Sequence, residues 1–266
     1  MLDSYNRSLN YLRVSVTDRC NLRCIYCMPA EGIRLISHSD ILSFEEILEV
    51  IKEGIKLGIN KVRITGGEPL VRRGVVNLVK MISKLDGIDD FGMTTNGTLL
   101  EEFAGELAEA GLHRVNISLD TVNPEKYHLI TRGGDIEKVF QGIKAAKKAG
   151  ISPIKINCVV KNSSIEPDAV KVRAFCNQNG LEARFIHEMD LENGCFTLVE
   201  GGDGGNCRSC NRLRLTANGM IKPCLFSNLE YSIRELGSRE ALLRGIRTKP
   251  EKGIVNKKNL FHNIGG

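Results

Sequence analysis

Cys20, Cys24 and Cys27 are spaced C-x3-C-x2-C, and Cys207, Cys210 and Cys224 form a second group, C-x2-C-x13-C. Clustered thiols in a chain without secretory character are better read as metal ligands or catalytic groups than as disulfides, because a reducing compartment keeps thiols free. Three thiolates cannot complete a four-iron cluster, so each group leaves one iron open to a partner that is not a cysteine. A structural zinc site is the competing reading, and it needs a fourth ligand. The nearest histidine after the first group is His38, eleven residues past Cys27, and the second group would need a distant residue. Two features suit an amino acid bound to an open iron at the first group. Gly66-Gly67-Glu68-Pro69 combines small residues, which let backbone approach a ligand, with a carboxylate that can accept from an ammonium group. Taken alone, the same four residues read equally well as a turn before a proline-started helix. Tyr26 offers backbone and ring to an adenine. Cys158 and Cys176 read as small buried hydrophobes, and Cys195 as an incidental loop thiol.

Short β-branched runs alternate with longer helical patterns, the mark of βα units around a parallel sheet. Six strands are expected, at Tyr11–Val16, Lys61–Thr65, Asp90–Thr94, Arg114–Leu119, Ile154–Val160 and Glu182–Ile186, with helices near 44–57, 72–85, 101–110, 135–149 and 168–179. Ser43 and Glu46 form a capping box at the first helix. Gly58, Gly111, Gly150 and Gly180 fall where helices should stop. Beyond about residue 190 the rhythm fails, the stretch Glu192–Gly205 is glycine-rich, and a small irregular extension is expected to carry the second cysteine group.

A parallel strand covered on both faces should be apolar throughout, yet these strands alternate. Arg13, Ser15 and Thr17 oppose Val14 and Val16; Lys61, Arg63 and Thr65 oppose Val62 and Ile64; Asn116 and Ser118, Lys155 and Asn157, and Arg184 repeat the pattern. If the apolar faces meet the helices, Arg13, Lys61, Arg63, Lys155 and Arg184 converge in a wet lumen, and a polyanionic small molecule would offset their charge. Edge strands with one wet face are the alternative.

With 266 residues, 42% hydrophobic and 26% charged, the chain is long enough for a large core, which excludes a disordered or rod-like protein. The net charge of +5 is too mild to argue for nucleic acid. No apolar run approaches a membrane span and the N-terminus lacks the apolar core of a secretion signal, so a cytoplasmic protein away from membranes is expected.

The triad with Gly66-Gly67-Glu68 resembles the radical S-adenosylmethionine superfamily. Within it, the segments R-V-S-V-T-D-R-C-N-L-R-C-I-Y-C-M-P, R-I-T-G-G-E-P-L, N-I-S-L-D, N-C-R-S-C-N-R-L-R-L-T-A-N-G-M-I-K-P-C-L-F and the terminal Gly265-Gly266 look like the GTP 3′,8-cyclase family of molybdenum-cofactor biosynthesis, over nearly the whole chain. The resemblance implies an α/β fold, a partial (β/α)6 barrel over residues 1–190, with an auxiliary iron–sulfur extension and tail over 191–266. It implies two [4Fe-4S] clusters. Cys20, Cys24 and Cys27 would hold the radical-generating one, and Cys207, Cys210 and Cys224 the auxiliary one. Tyr26, Gly66, Gly67, Glu68, Thr94, Ser118 and Met189 would contact S-adenosylmethionine. Arg13, Lys61, Arg63, Lys155, Arg184, Arg212 and Arg214 would contact GTP, with Arg13 close to the chemistry. Implied partners are an electron donor of flavodoxin or ferredoxin type, the cyclic pyranopterin monophosphate synthase as recipient of the product, and a second copy in a homodimer.

One departure stands out. Between Met189 and Cys207 the family has a longer segment, and this chain has a short glycine-rich link. A radical enzyme acting on a peptide or another small molecule, and a silent iron–sulfur electron carrier, are therefore the rival readings; the Gly66–Pro69 segment argues against the carrier. The resemblance also implies that the tail ending in Gly265-Gly266 enters the barrel, whereas composition alone favours a solvated end.

Overall fold

The alternating pattern folds as an open, mostly parallel sheet. A computed structural model describes residues 1–189, 194 and 196–254. Its first six strands are β1 (Tyr11–Ser15), β2 (Lys61–Thr65), β3 (Asp90–Thr95), β4 (Arg114–Ser118), β5 (Ile154–Val160) and β6 (Glu182–His187). Between them lie α1 (Phe44–Lys56), α2 (Val75–Ile82), α3 (Leu100–Glu109), α4 (Pro124–Thr131), α5 (Ile136–Lys148) and α6 (Pro167–Asn179). Neighbouring strands of this set pair in parallel in chain order. The capping box is present, with Ser43 Oγ accepting from Glu46 N–H and the Glu46 carboxylate accepting from Ser43 N–H. The four expected helix stops all have positive φ.

Two helices differ from expectation. α2 begins only at Val75, because Gly74 takes φ +79° and separates it from a 3₁₀ turn at Pro69–Val71. α4 is a helix that apolar periodicity does not announce. It is capped by Asn123, whose side chain accepts from Lys126 N–H, and started by Pro124.

The extension expected to be irregular carries several regular elements among its described residues. β7 (Arg212–Leu215), β8 (Met220–Lys222) and β9 (Tyr231–Ser232) prolong the same sheet, in the order β6-β5-β4-β3-β2-β1-β7-β8-β9, followed by α7 (Ile233–Leu236) and α8 (Ser238–Arg247). β7 runs parallel to β1, so Arg212 and Arg214 enter the register opposite Tyr11 and Arg13. At the other edge, Phe185 and Glu200 exchange backbone hydrogen bonds of 3.0 and 3.1 Å, which covers part of β6.

The helix-facing side of the sheet is dry. Leu12, Val14, Val62, Ile64, Val115, Ile117, Ile156 and Phe185 are all at most 1% exposed, packed with Ile47, Ile51, Leu78 and Leu107 from the helices. Each such side chain contributes about 1.5–3 kcal/mol on burial, and this offsets the polar face opposite. Among the described residues no helix is long and apolar enough to cross a membrane.

Candidate active site

The loops after the strand ends build the first thiol group. Beyond β1 and β2 the backbones keep pairing: Gly67 N–H donates to Thr17 O at 2.8 Å and Glu68 N–H to Arg19 O at 2.8 Å. A Cβ on Gly66 would lie 2.7 Å from Thr17 O, and one on Gly67 would lie 2.4 Å from Arg19 O. Glycine is therefore needed here for close approach, and that approach sets Arg19-Cys20, the entry to the thiol loop, against the Gly66–Gly67 turn. Within the loop, Cys27 N–H and Met28 N–H both donate to Cys24 O, at 2.9 and 3.0 Å.

Cys20, Cys24 and Cys27 line one cavity of about 200 Å³ together with Tyr26, Gly66, Gly67, Thr94, Ser118 and Met189. Every one of these follows or ends a parallel strand on its C-terminal side, where barrel enzymes keep their chemistry. Asn157, on the polar face of its strand, shares the cavity, as do Asn96 and His187, which the strand pattern did not single out.

Glu68 sits behind the turn with no exposed surface. Its Oε1 accepts from Leu70 N–H at 3.1 Å and Thr95 Oγ1 at 2.7 Å, and its Oε2 from Asn96 N–H at 2.7 Å. Burial pushes its carboxyl up to about 7 against these lowering bonds. A carboxyl with a raised folded-state pKa adds stability that is complete below about pH 4.5 and is lost as pH rises through about 7. In cofactor-free protein the parent should thus lose up to about 3 kcal/mol relative to Glu68→Gln between pH 5 and pH 8, read from urea midpoints. A gap independent of pH would show the carboxylate ionised throughout.

The first thiols crowd one another in a low-dielectric place. Burial, then Asp120 and the neighbouring thiolates, pushes Cys24 up to about 12; burial and then Cys20 push Cys27 up to about 11; Cys20 is raised mainly by burial. Such thiols become thiolates only when a metal supplies positive charge. Among the described residues no three side chains of Cys, His, Asp or Glu converge on a single ion. Three thiols can hold a four-iron cluster with one iron left open, whereas a closed zinc site needs a fourth protein ligand. Tyr26 is anchored by donating to Asp120 Oδ2 at 2.7 Å, and Asp120 Oδ1 accepts from Val159 N–H at 2.8 Å.

Cys207, Cys210 and Cys224 line a second cavity of about 60 Å³ with Arg212, Arg214 and Lys249. Burial raises Cys210, but Lys249 and the Arg212 N–H outweigh it and the thiol ends below its ordinary value, whereas burial leaves Cys224 raised.

The polar face of the sheet gathers the cations. In register across the sheet, Arg13 stands between Arg63 and Arg214, and Tyr11 between Lys61 and Arg212. The Tyr11 ring has the Arg63 guanidinium at 5.9 Å and that of Arg212 at 5.7 Å. Burial, then Arg214, pushes Arg13 down to about 9, so it stays charged at neutral pH. Two cations are neutralised by the protein itself: Arg114 makes a bidentate pair with Asp90, both contacts 2.6 Å, and Lys155 pairs with Glu182. Among the described residues, the buried Nε atoms of Arg63, Arg184 and Arg212 have no hydrogen-bond partner. Gly92 makes room for the crowd, since a Cβ there would meet Arg114 Cγ at 3.1 Å and Arg63 Nε at 3.4 Å. The sequence reading missed Tyr11, Gly92 and the Asp90–Arg114 pair, although Tyr11 lies two residues before Arg13 on the same face. Cys158 and Cys176 are buried in the core, at 1% and 0% exposure, as expected. Cys195 and Gly265-Gly266 lie outside the described residues.

An open parallel barrel with a half-buried thiol triad at the C-terminal ends of its strands is the architecture of a radical S-adenosylmethionine protein. The model of the Radical SAM superfamily matches residues 14–167. Among solved structures, Streptococcus suis SuiB bound to S-adenosylmethionine has a TM-score of 0.68 at 17% identity, over 92% of this chain and 66% of that one. Among curated relatives, the GTP 3′,8-cyclase of Petrotoga mobilis is 41% identical over 309 aligned positions, which take in 99% of this chain and 95% of the relative. The GTP 3′,8-cyclase of Thermodesulfovibrio yellowstonii is 40% identical over 322 positions and 100% of both chains. The chain belongs to the radical S-adenosylmethionine superfamily and, within it, to the GTP 3′,8-cyclase family. Both alignments are longer than its 266 residues, so these relatives carry segments that it lacks.

Proposed function

We propose that the chain converts GTP to 3′,8-cyclo-7,8-dihydro-GTP, the first step of molybdopterin biosynthesis. The observation that carries this reading is the register that sets Arg13 beside Arg63 and Arg214, with the buried Nε atoms of Arg63, Arg184 and Arg212 unpartnered among the described residues and Arg212 and Arg214 lining the second three-thiol cavity. In this reading Cys20, Cys24 and Cys27 hold one four-iron cluster, and Cys207, Cys210 and Cys224 hold the other. S-adenosylmethionine takes the cavity beside Tyr26, Gly66, Gly67, Thr94, Ser118 and Met189, with Glu68 holding the turn. A cluster held by Cys20, Cys24 and Cys27 would supply the one-electron radical chemistry by which bound S-adenosylmethionine activates the 3′ position of the substrate.

The chain's own residues position and neutralise. Arg63, Arg184 and Arg212 offer planar forks to phosphate and guanine oxygens, Lys61 and Lys155 add point charges, and Arg13 and Arg214 bring the lumen up to the second cavity. The dry helix-facing core keeps these cations in a low-dielectric space, where attraction to a polyanion is strong. No side-chain nucleophile is required, because the cofactor carries the bond-breaking step and the protein supplies orientation. The same proposal gives the chain a cytoplasmic setting, an electron donor of flavodoxin or ferredoxin type, hand-off of product to the cyclic pyranopterin monophosphate synthase, and a homodimer. It also divides the labour between a barrel over residues 1–190 and an auxiliary part over 191–266.

Anaerobic reconstitution followed by product analysis with GTP tests this. The reconstituted chain should carry about eight irons and little zinc, and should form the cyclised nucleotide together with 5′-deoxyadenosine. Stoichiometric zinc at the second group, or cofactor cleavage in the presence of GTP without cyclised product, would refute it.

A further inference from the structure

The two thiol groups sit in opposite electrostatic surroundings. Asp120 and Glu68 bear on the first, through Cys24 and Cys20. Lys249, Arg212 and Arg214 line the second. Lys249 is 3% exposed. Its ammonium donates to Arg212 O at 2.8 Å and Pro223 O at 2.6 Å, and it lines the second cavity together with Cys210. Among the described residues its hydrogen-bond partners are two neutral carbonyls and no carboxylate, so the burial of its charge is offset when the thiol side of the cavity carries negative charge.

The segment bearing Lys249 is fixed from the other end of the chain. Arg7, 6% exposed and paired with Asp3 at 2.6 Å, donates to Pro250 O at 2.7 Å, Glu251 O at 2.9 Å and Cys207 O at 2.8 Å. One guanidinium thus ties the Lys249 segment to the loop carrying the second thiol group.

We propose that Lys249 is a positioning residue that sets the electron affinity of the second cluster, its buried fixed charge in the same cavity favouring the reduced state, with the Asp3–Arg7 pair holding it in place. Reduction adds negative charge to a cluster, and a buried cation lining the same cavity stabilises that form, as net charge around a cluster does generally. The inference rests on the proposed cluster at Cys207, Cys210 and Cys224.

The test is a redox titration followed by electron paramagnetic resonance, in a Cys24→Ser background so that the signal comes from the second cluster alone. Lys249→Met, which keeps the methylene stem and removes the charge, should lower the ratio of reduced to oxidised cluster at fixed potential at least tenfold, about 59 mV for one electron. Lys249→Arg should stay near the parent. An iron-loaded Lys249→Met variant with the parent's potential would overturn the proposal. If that variant does not hold iron, Lys249→Gln decides by the same criterion. Iron loss in both variants with retention in Lys249→Arg would make Lys249 a structural clamp and likewise overturn it. Absence of iron at the second group in the parent would instead refute the cluster reading.

Discussion

Cys24→Ser should reduce cleavage of S-adenosylmethionine to background, while Cys224→Ser should keep cleavage and lose cyclised GTP. The asymmetry follows from where the two thiols sit. Cys24 lies in the larger cavity, beside Tyr26 and the Gly66–Gly67 turn, and Cys224 lies in the smaller one, beside Arg214 and Lys249. The serine substitutions test ligation rather than folding, because the backbone bonds that shape the first loop, from Cys27 N–H and Met28 N–H to Cys24 O, involve no sulfur. A hydroxyl is a poor iron ligand compared with a thiolate, so the expected loss in each variant exceeds a hundredfold in the reaction that its cluster serves, an order of magnitude in line with removal of essential groups in other enzymes. Chromatography of 5′-deoxyadenosine and of the cyclised nucleotide, with circular dichroism to confirm folding, measures both. Equal loss of both products in both variants would contradict the division of labour.

Much of this site was legible because strand periodicity carries information about both faces of a sheet. Placing Arg13, Arg63, Lys155 and Arg184 on one face needed only the period of two, and the register then set Arg13 beside Arg63 and Lys155 opposite Glu182. The same rule reaches Tyr11 and Arg114. An aromatic at a strand start reads as an ordinary strand former, however, and Arg114 reads as a lumen cation only once its partner Asp90 is known, since their pairing depends on the stagger between β3 and β4. The extension was the harder part. Strands of four, three and two residues are too short to show alternation, and their stability comes from continuing an existing sheet at β1, a tertiary effect that no local window contains. α4 was missed for a related reason. Its apolar face is weak, and Asn123-Pro124-Glu125, a cap followed by proline and an acidic first turn, was the signal that would have found it. Lys249 had no sequence signal, because its role depends on a fold that brings it to Cys210 across the second cavity.

The lumen makes the second large prediction, which concerns binding and stability together. Arg63 is 3% exposed, and its Nε has no hydrogen-bond partner among the described residues. Burial holds its guanidinium below the usual range, with the neighbouring Arg114 and Arg184 adding to the effect and Tyr11 and Asp90 opposing it. A buried cation of this kind is a cost to the free protein and a gain to a polyanionic complex. Arg63→Met, which keeps bulk and removes charge, should therefore weaken GTP tenfold or more, since a charge-assisted hydrogen bond contributes about 1.5–3 kcal/mol, and leave S-adenosylmethionine affinity within about twofold. The thermal midpoint of the ligand-free variant should stay level or rise, because replacing a desolvated charge with a packed apolar side chain is neutral or stabilising in such settings. Arg184→Met should behave in the same way. Lys155→Met should cost less affinity, because Glu182 already offsets its charge and, half-exposed, is screened by solvent once left unpaired. Calorimetric titration with each ligand and a melting curve for each variant suffice. An Arg63→Met protein that binds GTP as the parent does, or that melts well below it, would show that these cations hold the barrel together rather than a ligand inside it.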